Sequence, residues 1–125
     1  MKRQHGFTLM ELMVVMAIIA SLLTLAMPRY FHSVERSKEA VLRQDLAVMR
    51  DAIDKFLGDR GRYPTTLEEL VDKRYLRKLP ADPITESGTT WVLLPPPDAE
   101  AAAGIYDVRS GAPGRSLDGE TFESW

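Results

Sequence analysis

Apolar residues form two distinct patterns along the chain, and each pattern predicts a helix. The first is a continuous run, because residues 12–27 (LMVVMAIIASLLTLAM) contain no charged side chain. Extended back to Phe7, the run includes one carboxylate, Glu11, and covers about 21 residues. As a helix this segment is about 31 Å long, which is enough to span the core of a bilayer. We therefore expect a membrane-spanning helix over residues 7–28.

The second pattern is an amphipathic stripe that follows Pro28. Residues 29–57 contain no glycine and no further proline. The apolar residues of this stripe are Phe31, Val34, Val41, Leu42, Leu46, Met49, Ile53, Phe56 and Leu57. From Leu42 onward the steps alternate between four and three, which is typical of the buried face of a helix. Charged residues fill the other faces, and we expect them to be solvated. Gly58 and Gly61 are expected to end this helix.

Short elements are predicted after Gly61. Thr66 and Glu69 have the spacing of a capping box, which indicates a short helix to about residues 72–73. Residues 89–94 and 105–108 are strand candidates, since they are rich in β-branched and aromatic residues or alternate in polarity.

The predicted fold class is α+β. A long amino-terminal helix, whose first half spans the membrane, is expected to pack on a small antiparallel sheet with a loop-rich carboxy terminus. Residues 98–103 and 114–123 are predicted loops because they are polar, small or rich in glycine.

Composition excludes several classes of protein and site. The 125 residues carry sixteen Lys and Arg against eighteen Asp and Glu, so the net charge of −2 does not suit a strongly basic nucleic-acid binder, and no nucleic-acid partner is expected. The absence of cysteine excludes disulfides, thiolate metal sites and a cysteine nucleophile. With only His5 and His32, a histidine-built metal site is not expected. No motif for hydrolase, phosphate-binding or metalloprotease chemistry occurs, so we do not expect an enzyme.

The amino terminus carries a specific motif. A short basic leader ends in Gly6, and Phe7-Thr8-Leu9-Met10-Glu11 then opens the apolar run. This arrangement resembles the type IV prepilin motif, and Pro28 falls where that pilin-like family has a proline. The resemblance implies cleavage by a prepilin peptidase between Gly6 and Phe7, and N-methylation of Phe7. It also implies a leader over residues 1–6, a transmembrane and filament-core helix over 7–28, and a periplasmic pilin-like globular domain over 29–125.

The apolar segment has two other interpretations. A secretory signal peptide would have a shorter apolar stretch followed by a small-x-small cleavage site, and the sequence has neither. A plain signal anchor remains open. Lys2 and Arg3 favour a cytoplasmic amino terminus, which places the carboxy-terminal domain on the other side of the membrane. With this orientation, the pilin-like resemblance implies a single-pass inner-membrane protein whose carboxy-terminal domain is periplasmic.

Glu11 and Pro28 each allow two interpretations. An ionisable group at the centre of a bilayer costs about 2.5–3.5 kcal/mol, so Glu11 either lies near the helix end and reaches the interface or has a partner. The resemblance implies the second, with Glu11 pairing the terminal ammonium of a neighbouring subunit and setting the register of assembly. Pro28 removes a helix donor. It is expected to kink the helix at the membrane exit or, as the resemblance implies, to loosen it during filament packing.

A second resemblance covers residues 58–83. The runs Gly61-Arg-Tyr-Pro-Thr-Thr66 and Tyr75-Leu-Arg-Lys-Leu-Pro-Ala-Asp-Pro83 resemble the G-type pseudopilins of type II secretion systems. This implies a structural subunit, the major pseudopilin, that polymerises with copies of itself and drives protein export across the outer membrane. Minor pseudopilins are implied as partners of this filament. Membrane lipid before assembly, the inner-membrane assembly platform and its ATPase are further implied partners.

Two alternative functions stay open. The first is a major or minor pilin of a type IV pilus, which serves adhesion, motility or DNA uptake. Many such pilins carry a carboxy-terminal disulfide loop, so the absence of cysteine favours secretion. The second is a signal-anchored periplasmic binding module that never polymerises.

The G-type resemblance also implies calcium as a cofactor in the carboxy-terminal loop. Asp118, Glu120 and Ser110 are the candidate ligands, together with backbone carbonyls. However, this loop is short, has few acidic residues and includes Arg115. The alternative is a turn held by side-chain-to-backbone hydrogen bonds, with Trp125 packed against the sheet.

Overall fold

The computed structural model describes residues 4–98 and 103–125. The element order is α1 (Leu9–Arg60), α2 (Leu67–Asp72), β1 (Trp91–Leu94), β2 (Asp107–Ser110) and a final 3-10 helix, Phe122–Ser124. The chain divides into two compact units, Met1–Glu35 and Arg36–Trp125. The predicted domain limits at residues 6 and 28 stay predictions. Lys2, Arg3 and most of the predicted loop at 98–103 lie outside the described residues.

Helix α1 is longer than the sequence pattern indicates at its carboxy-terminal end. It runs without interruption through Pro28 and Gly58 and ends at Arg60. The prediction that Gly58 ends the helix was wrong, because Gly58 has helical neighbours on both sides. Gly61 does end it: its φ of 69° is a left-handed conformation that glycine adopts without strain, and its N–H donates to the Leu57 carbonyl at 2.8 Å.

The amino-terminal unit contains the apolar half of α1. This helix is long and apolar enough to cross a membrane, and none of its most apolar stretch is buried against other parts of the chain. The two hydroxyl side chains in that stretch bond within the helix. Ser21 Oγ donates to the Ala17 carbonyl at 2.9 Å, and Thr24 Oγ1 donates to the Ala20 carbonyl at 2.8 Å.

The carboxy-terminal unit is built on the amphipathic half of α1. The predicted stripe is confirmed from Leu42 onward, and the core comprises Leu42, Leu46, Met49, Ala52, Ile53, Phe56, Leu67, Leu70, Leu76, Trp91, Ile105, Val108, Ala112 and Phe122. Two predicted stripe members are exposed instead. Val41 is 50% exposed because its side chain points about 100° away from that of Leu42, and Phe31, 57% exposed, precedes the unit that holds the core.

Strands β1 and β2 form a two-stranded antiparallel sheet, which confirms the α+β class. Trp91 pairs with Ser110 and Leu94 pairs with Asp107. Both strands begin two residues later than predicted. The N–H of Ile105 donates to the Pro64 carbonyl at 2.8 Å, which removes it from the sheet. Thr90 is held instead by a 2.6 Å hydrogen bond to the Thr85 hydroxyl.

Helix α2 begins where the capping box predicts. The Thr66 hydroxyl accepts from the Glu69 N–H at 3.2 Å. The returning bond differs from the usual pattern, because Glu69 Oε2 accepts from the N–H of Thr65, at 2.9 Å.

Candidate functional site

The amino-terminal candidate residues lie at the start of α1. Gly6, Phe7 and Thr8 precede the helix in non-helical conformation, and the helix begins at Leu9. Thr8 caps it: Thr8 Oγ1 accepts from the Glu11 N–H at 3.1 Å, and the Thr8 carbonyl accepts from the Leu12 N–H at 3.1 Å. The helix therefore starts two residues later than the apolar run suggests. The capping-box spacing of Thr8 and Glu11 is a sequence signal that could have located this start.

The Gly6–Phe7 peptide bond is accessible. The Phe7 side chain is 90% exposed, and a Cβ added at Gly6 would meet no atom within 4 Å. Because this bond precedes the first hydrogen-bonded turn, a peptidase could bind the segment without unwinding α1. The geometry therefore suits a processing site.

Glu11 lies in the first turn of α1, exposed, where the unpaired N–H groups favour a negative charge. It borders a shallow groove of ≈ 380 Å³ whose other lining residues are Phe7, Met10, Val14 and Val15. No ion pair to its carboxylate occurs within residues 4–98 and 103–125. A carboxylate on an apolar surface is stabilised strongly by a cation, so this position can receive a cation from another molecule.

Pro28 lies inside α1. Because proline has no N–H, the Thr24 carbonyl lacks its usual helix donor. Both the kink at the membrane exit and the loosening on assembly stay predictions for this residue.

The three candidate calcium ligands are placed in different settings. Ser110 is fully buried in β2, where Oγ donates to Asp82 Oδ2 and accepts from the Ala112 N–H at 3.1 Å. Glu120 Oε2 accepts from the Trp125 indole at 3.1 Å, and Asp118 is exposed. Across residues 4–98 and 103–125, no group of three His, Cys, Asp or Glu could hold a metal ion. The predicted set therefore does not fit calcium, which needs six to eight oxygens.

The structure reveals charged groups that the sequence analysis did not single out. Asp82 is fully buried, and its Oδ1 accepts from the Ile84 N–H at 2.8 Å. Burial, and secondarily the charge of Asp82, raise the pKa of Asp45. Glu39 is buried on α1 and contacts the carboxy-terminal loop. In the sequence, Asp82 is only part of the run that ends at Pro83, and Glu39 lies in a charged stretch with no signal that marks it as buried.

Comparison with known proteins places these features in a family. Residues 1–27 match the model of the prokaryotic N-terminal methylation motif. The chain is 34% identical over 134 residues to type II secretion system core protein G of Escherichia coli strain K12, covering 94% of this chain and 85% of that protein. It is 35% identical over 112 residues to the protein of the same name from Klebsiella pneumoniae, covering 77% and 78% of the two chains.

A third relative has the same name. The core protein G of Pseudomonas aeruginosa is 35% identical over 98 residues, covering 66% of this chain and 69% of that protein. No solved structure matched the chain. The methylation motif coincides with the capped, accessible start of α1, and the identity continues through the carboxy-terminal unit. The chain therefore belongs to the type II secretion system core protein G family, whose members are pilin-like subunits.

Proposed function

We propose that this chain is the precursor of a structural subunit of the type II secretion pseudopilus. Prepilin peptidase cuts it between Gly6 and Phe7, and Phe7 is then N-methylated. The observation that carries the proposal is the exposed, non-helical Gly6–Phe7 bond directly before a capped apolar helix with Glu11 in its first turn. The relatives named core protein G, which match most of the chain, support the same function.

Cleavage creates the charge that Glu11 needs. It leaves an ammonium on Phe7, one residue before the Thr8 cap, where the helix end is already partially positive. The Glu11 carboxylate of a neighbouring subunit pairs with this ammonium and neutralises it. Because both groups are costly in an apolar bundle when unpaired, only the register that joins them is stable. Glu11 thus sets the step between successive subunits.

Before assembly the mature subunit is anchored in the inner membrane by the apolar half of α1, with its amino terminus cytoplasmic and its carboxy-terminal unit periplasmic. The assembly platform and its ATPase move this helix from lipid into a bundle of identical helices that also includes minor pseudopilins. Little apolar surface meets water in this transfer, so its hydrophobic cost is small. The growing filament pushes folded proteins through the outer membrane.

The processing step is tested by the intact mass of the protein purified from membranes. The expected mass is that of a chain beginning at Phe7 and carrying one methyl group. A chain that still begins at Met1 in cells with an active prepilin peptidase contradicts the proposal. That result would favour the anchored module that never polymerises.

The assembly role is tested by Glu11→Ala. We expect normal processing by mass and loss of the sheared or cross-linked filament. Glu35→Ala is the matched control, since it removes an exposed carboxylate from the same helix outside the apolar run. Equal filament yield from both variants contradicts the register role of Glu11.

Deletion of the gene separates secretion from pilus function. We expect exoproteins to accumulate in the periplasm while surface twitching continues. Lost twitching with normal secretion would instead assign the chain to a type IV pilus.

A further inference from the structure

The carboxy-terminal loop, residues 111–125, is held in place by groups of the protein itself. We infer that this loop is ordered without calcium, and that the carboxylate of Glu39 on α1 serves as its anchor. The inference concerns how the carboxy-terminal unit folds, so it does not depend on the proposed role in secretion.

Glu39 makes a long-range bond to the centre of the loop. It is 9% exposed, and its Oε1 accepts from the Leu117 N–H at 2.7 Å. The two residues are 78 positions apart, so this bond joins the main helix to the loop. A charged acceptor bonded to a backbone N–H is among the stronger hydrogen bonds of proteins. A buried carboxylate left without it would be costly, so the loop and Glu39 stabilise each other.

The loop also uses its own carbonyl oxygens, which a calcium ion would need. The Glu120 carbonyl accepts from the Ser116 N–H at 2.7 Å, and the Ser116 carbonyl accepts from the Gly119 N–H at 3.0 Å. Arg115 Nη1 donates to the Gly119 carbonyl at 3.2 Å, between Asp118 and Glu120. A guanidinium in this position supplies positive charge where a metal would lie and repels a second cation.

The end of the loop is fixed to α1 by two arginines. Arg50 Nη2 donates to the Trp125 main-chain oxygen, and the Arg43 guanidinium carbon lies 4.2 Å from the centroid of the Trp125 ring. Phe122 packs edge-on against the same ring, with centroids 5.2 Å apart. No step in this chain of contacts, from Glu39 to Trp125, requires a metal.

One buried polar atom of the loop is consistent with a bound partner. Ser116 Oγ is the buried side-chain polar atom without a hydrogen-bond partner in the part of the chain that the structure describes. A single hydroxyl needs only one small polar partner, such as a water molecule. Calcium needs six to eight oxygens, whereas the carboxylates of Glu39 and Glu120 already accept hydrogen bonds and that of Asp118 is exposed.

The test uses the full-length chain purified in detergent, with calcium chloride or with excess EGTA. We expect the same thermal midpoint, followed by tryptophan fluorescence, and the same slow exchange of the Leu117 amide in both buffers. Glu39→Ala should speed Leu117 exchange roughly ten- to hundredfold in either buffer, since it removes a charge-assisted bond. Glu39→Gln keeps a neutral acceptor oxygen and should give an intermediate rate.

Asp118→Asn is the matched control, because it removes a loop carboxylate that is exposed. It should change neither quantity. A midpoint that calcium raises in the wild-type chain, and that Asp118→Asn or Ser116→Ala makes insensitive to calcium, would overturn the inference. So would calcium-dependent protection of Leu117 in Glu39→Ala. If Glu39→Ala does not fold, the calcium response of the wild-type chain and of Glu39→Gln still decides.

Discussion

Arg50 of α1 and Asp107 of β2 form an ion pair in which Nε donates to Oδ1 at 2.8 Å. The same guanidinium donates through Nη2 to the Val108 carbonyl at 3.0 Å and to the main-chain oxygen of Trp125. One side chain thus connects the helix, the sheet and the carboxy-terminal residue. The planar fork of arginine suits this role because its donors point in fixed directions.

Arg50→Ala should lower the free energy of unfolding of the full-length chain in detergent by about 1–3 kcal/mol. The loss reflects three hydrogen bonds at a partly exposed position. Lys55→Ala is the control, because Lys55 forms an exposed ion pair with Asp51 whose loss should cost about 0.3–0.5 kcal/mol. Arg50→Lys should recover only part of the loss. Urea unfolding measures these effects. Equal losses for the Arg50 and Lys55 substitutions would show that the three hydrogen bonds of Arg50 contribute no more stability than an exposed ion pair.

Thr8→Ala should loosen the first turn of α1 without preventing cleavage after Gly6. Loss of an N-cap costs about 1 kcal/mol, so the Glu11 amide should exchange roughly fivefold faster. Thr8→Ser retains the hydroxyl and should exchange at the wild-type rate. Hydrogen exchange of the detergent-solubilised chain measures both. If the Glu11 amide exchanges as slowly in the alanine variant as in the wild type, the Thr8 side chain does not stabilise the first turn of α1.

Glu69 should contribute to the acid sensitivity of the fold. The hydrogen bond from Arg62, followed by those from Thr65, lowers the pKa of Glu69 from its ordinary 4.5 to about 2. Because the folded pKa lies below the unfolded one, the stabilisation is complete above about pH 4.5 and is lost as the pH falls towards 2.

Glu69→Gln should therefore flatten the pH dependence of unfolding in that window. Glu68→Gln, at an exposed neighbouring position, should leave it unchanged. Thermal unfolding midpoints measured from pH 6 to pH 2 compare the two variants. Identical curves for Glu69→Gln and the wild type would show that the Arg62 bond contributes no net stability.

Gly111 and Gly58 should respond in opposite directions to alanine. A Cβ at Gly111 would lie 2.1 Å from the Thr90 carbonyl oxygen, so the backbone beside β1 must shift. We expect Gly111→Ala to cost about 1–3 kcal/mol. Gly58 lies in α1 with open space around it, so Gly58→Ala should stabilise by about 0.5–1 kcal/mol. Urea unfolding of both variants tests the pair, and the same sign for both would contradict this assignment.

Periodicity was sufficient to predict most of the fold. The spacing of Leu42, Leu46 and Met49 located the buried face of α1, and the capping box located α2. Strand starts were less predictable, because Ile105 and Thr90 are withdrawn from the sheet by partners distant from the strands themselves. Such partners depend on tertiary structure, which local polarity does not encode.

The candidate site residues likewise separate into those that a local motif predicts and those whose partners depend on tertiary structure. Gly6, Phe7 and Glu11 form a local motif, so their placement at the start of α1 follows from sequence order. The calcium ligands depended on a loop folding around an ion, and Ser110 bonds instead to Asp82, 28 residues away. Glu39 and Arg50 could not be identified because charged residues on a helix look alike until the partners of each are known.

The hydroxyls of Ser21 and Thr24 bond to carbonyls of their own helix. These two hydroxyls therefore need no hydrogen-bond acceptor from outside the helix. Neither lipid chains nor neighbouring identical helices have to supply a hydrogen-bond partner to these two side chains. In the transfer proposed above, neither side chain exchanges a hydrogen bond, and Glu11 is the one ionisable residue of the apolar run that would meet a changed environment.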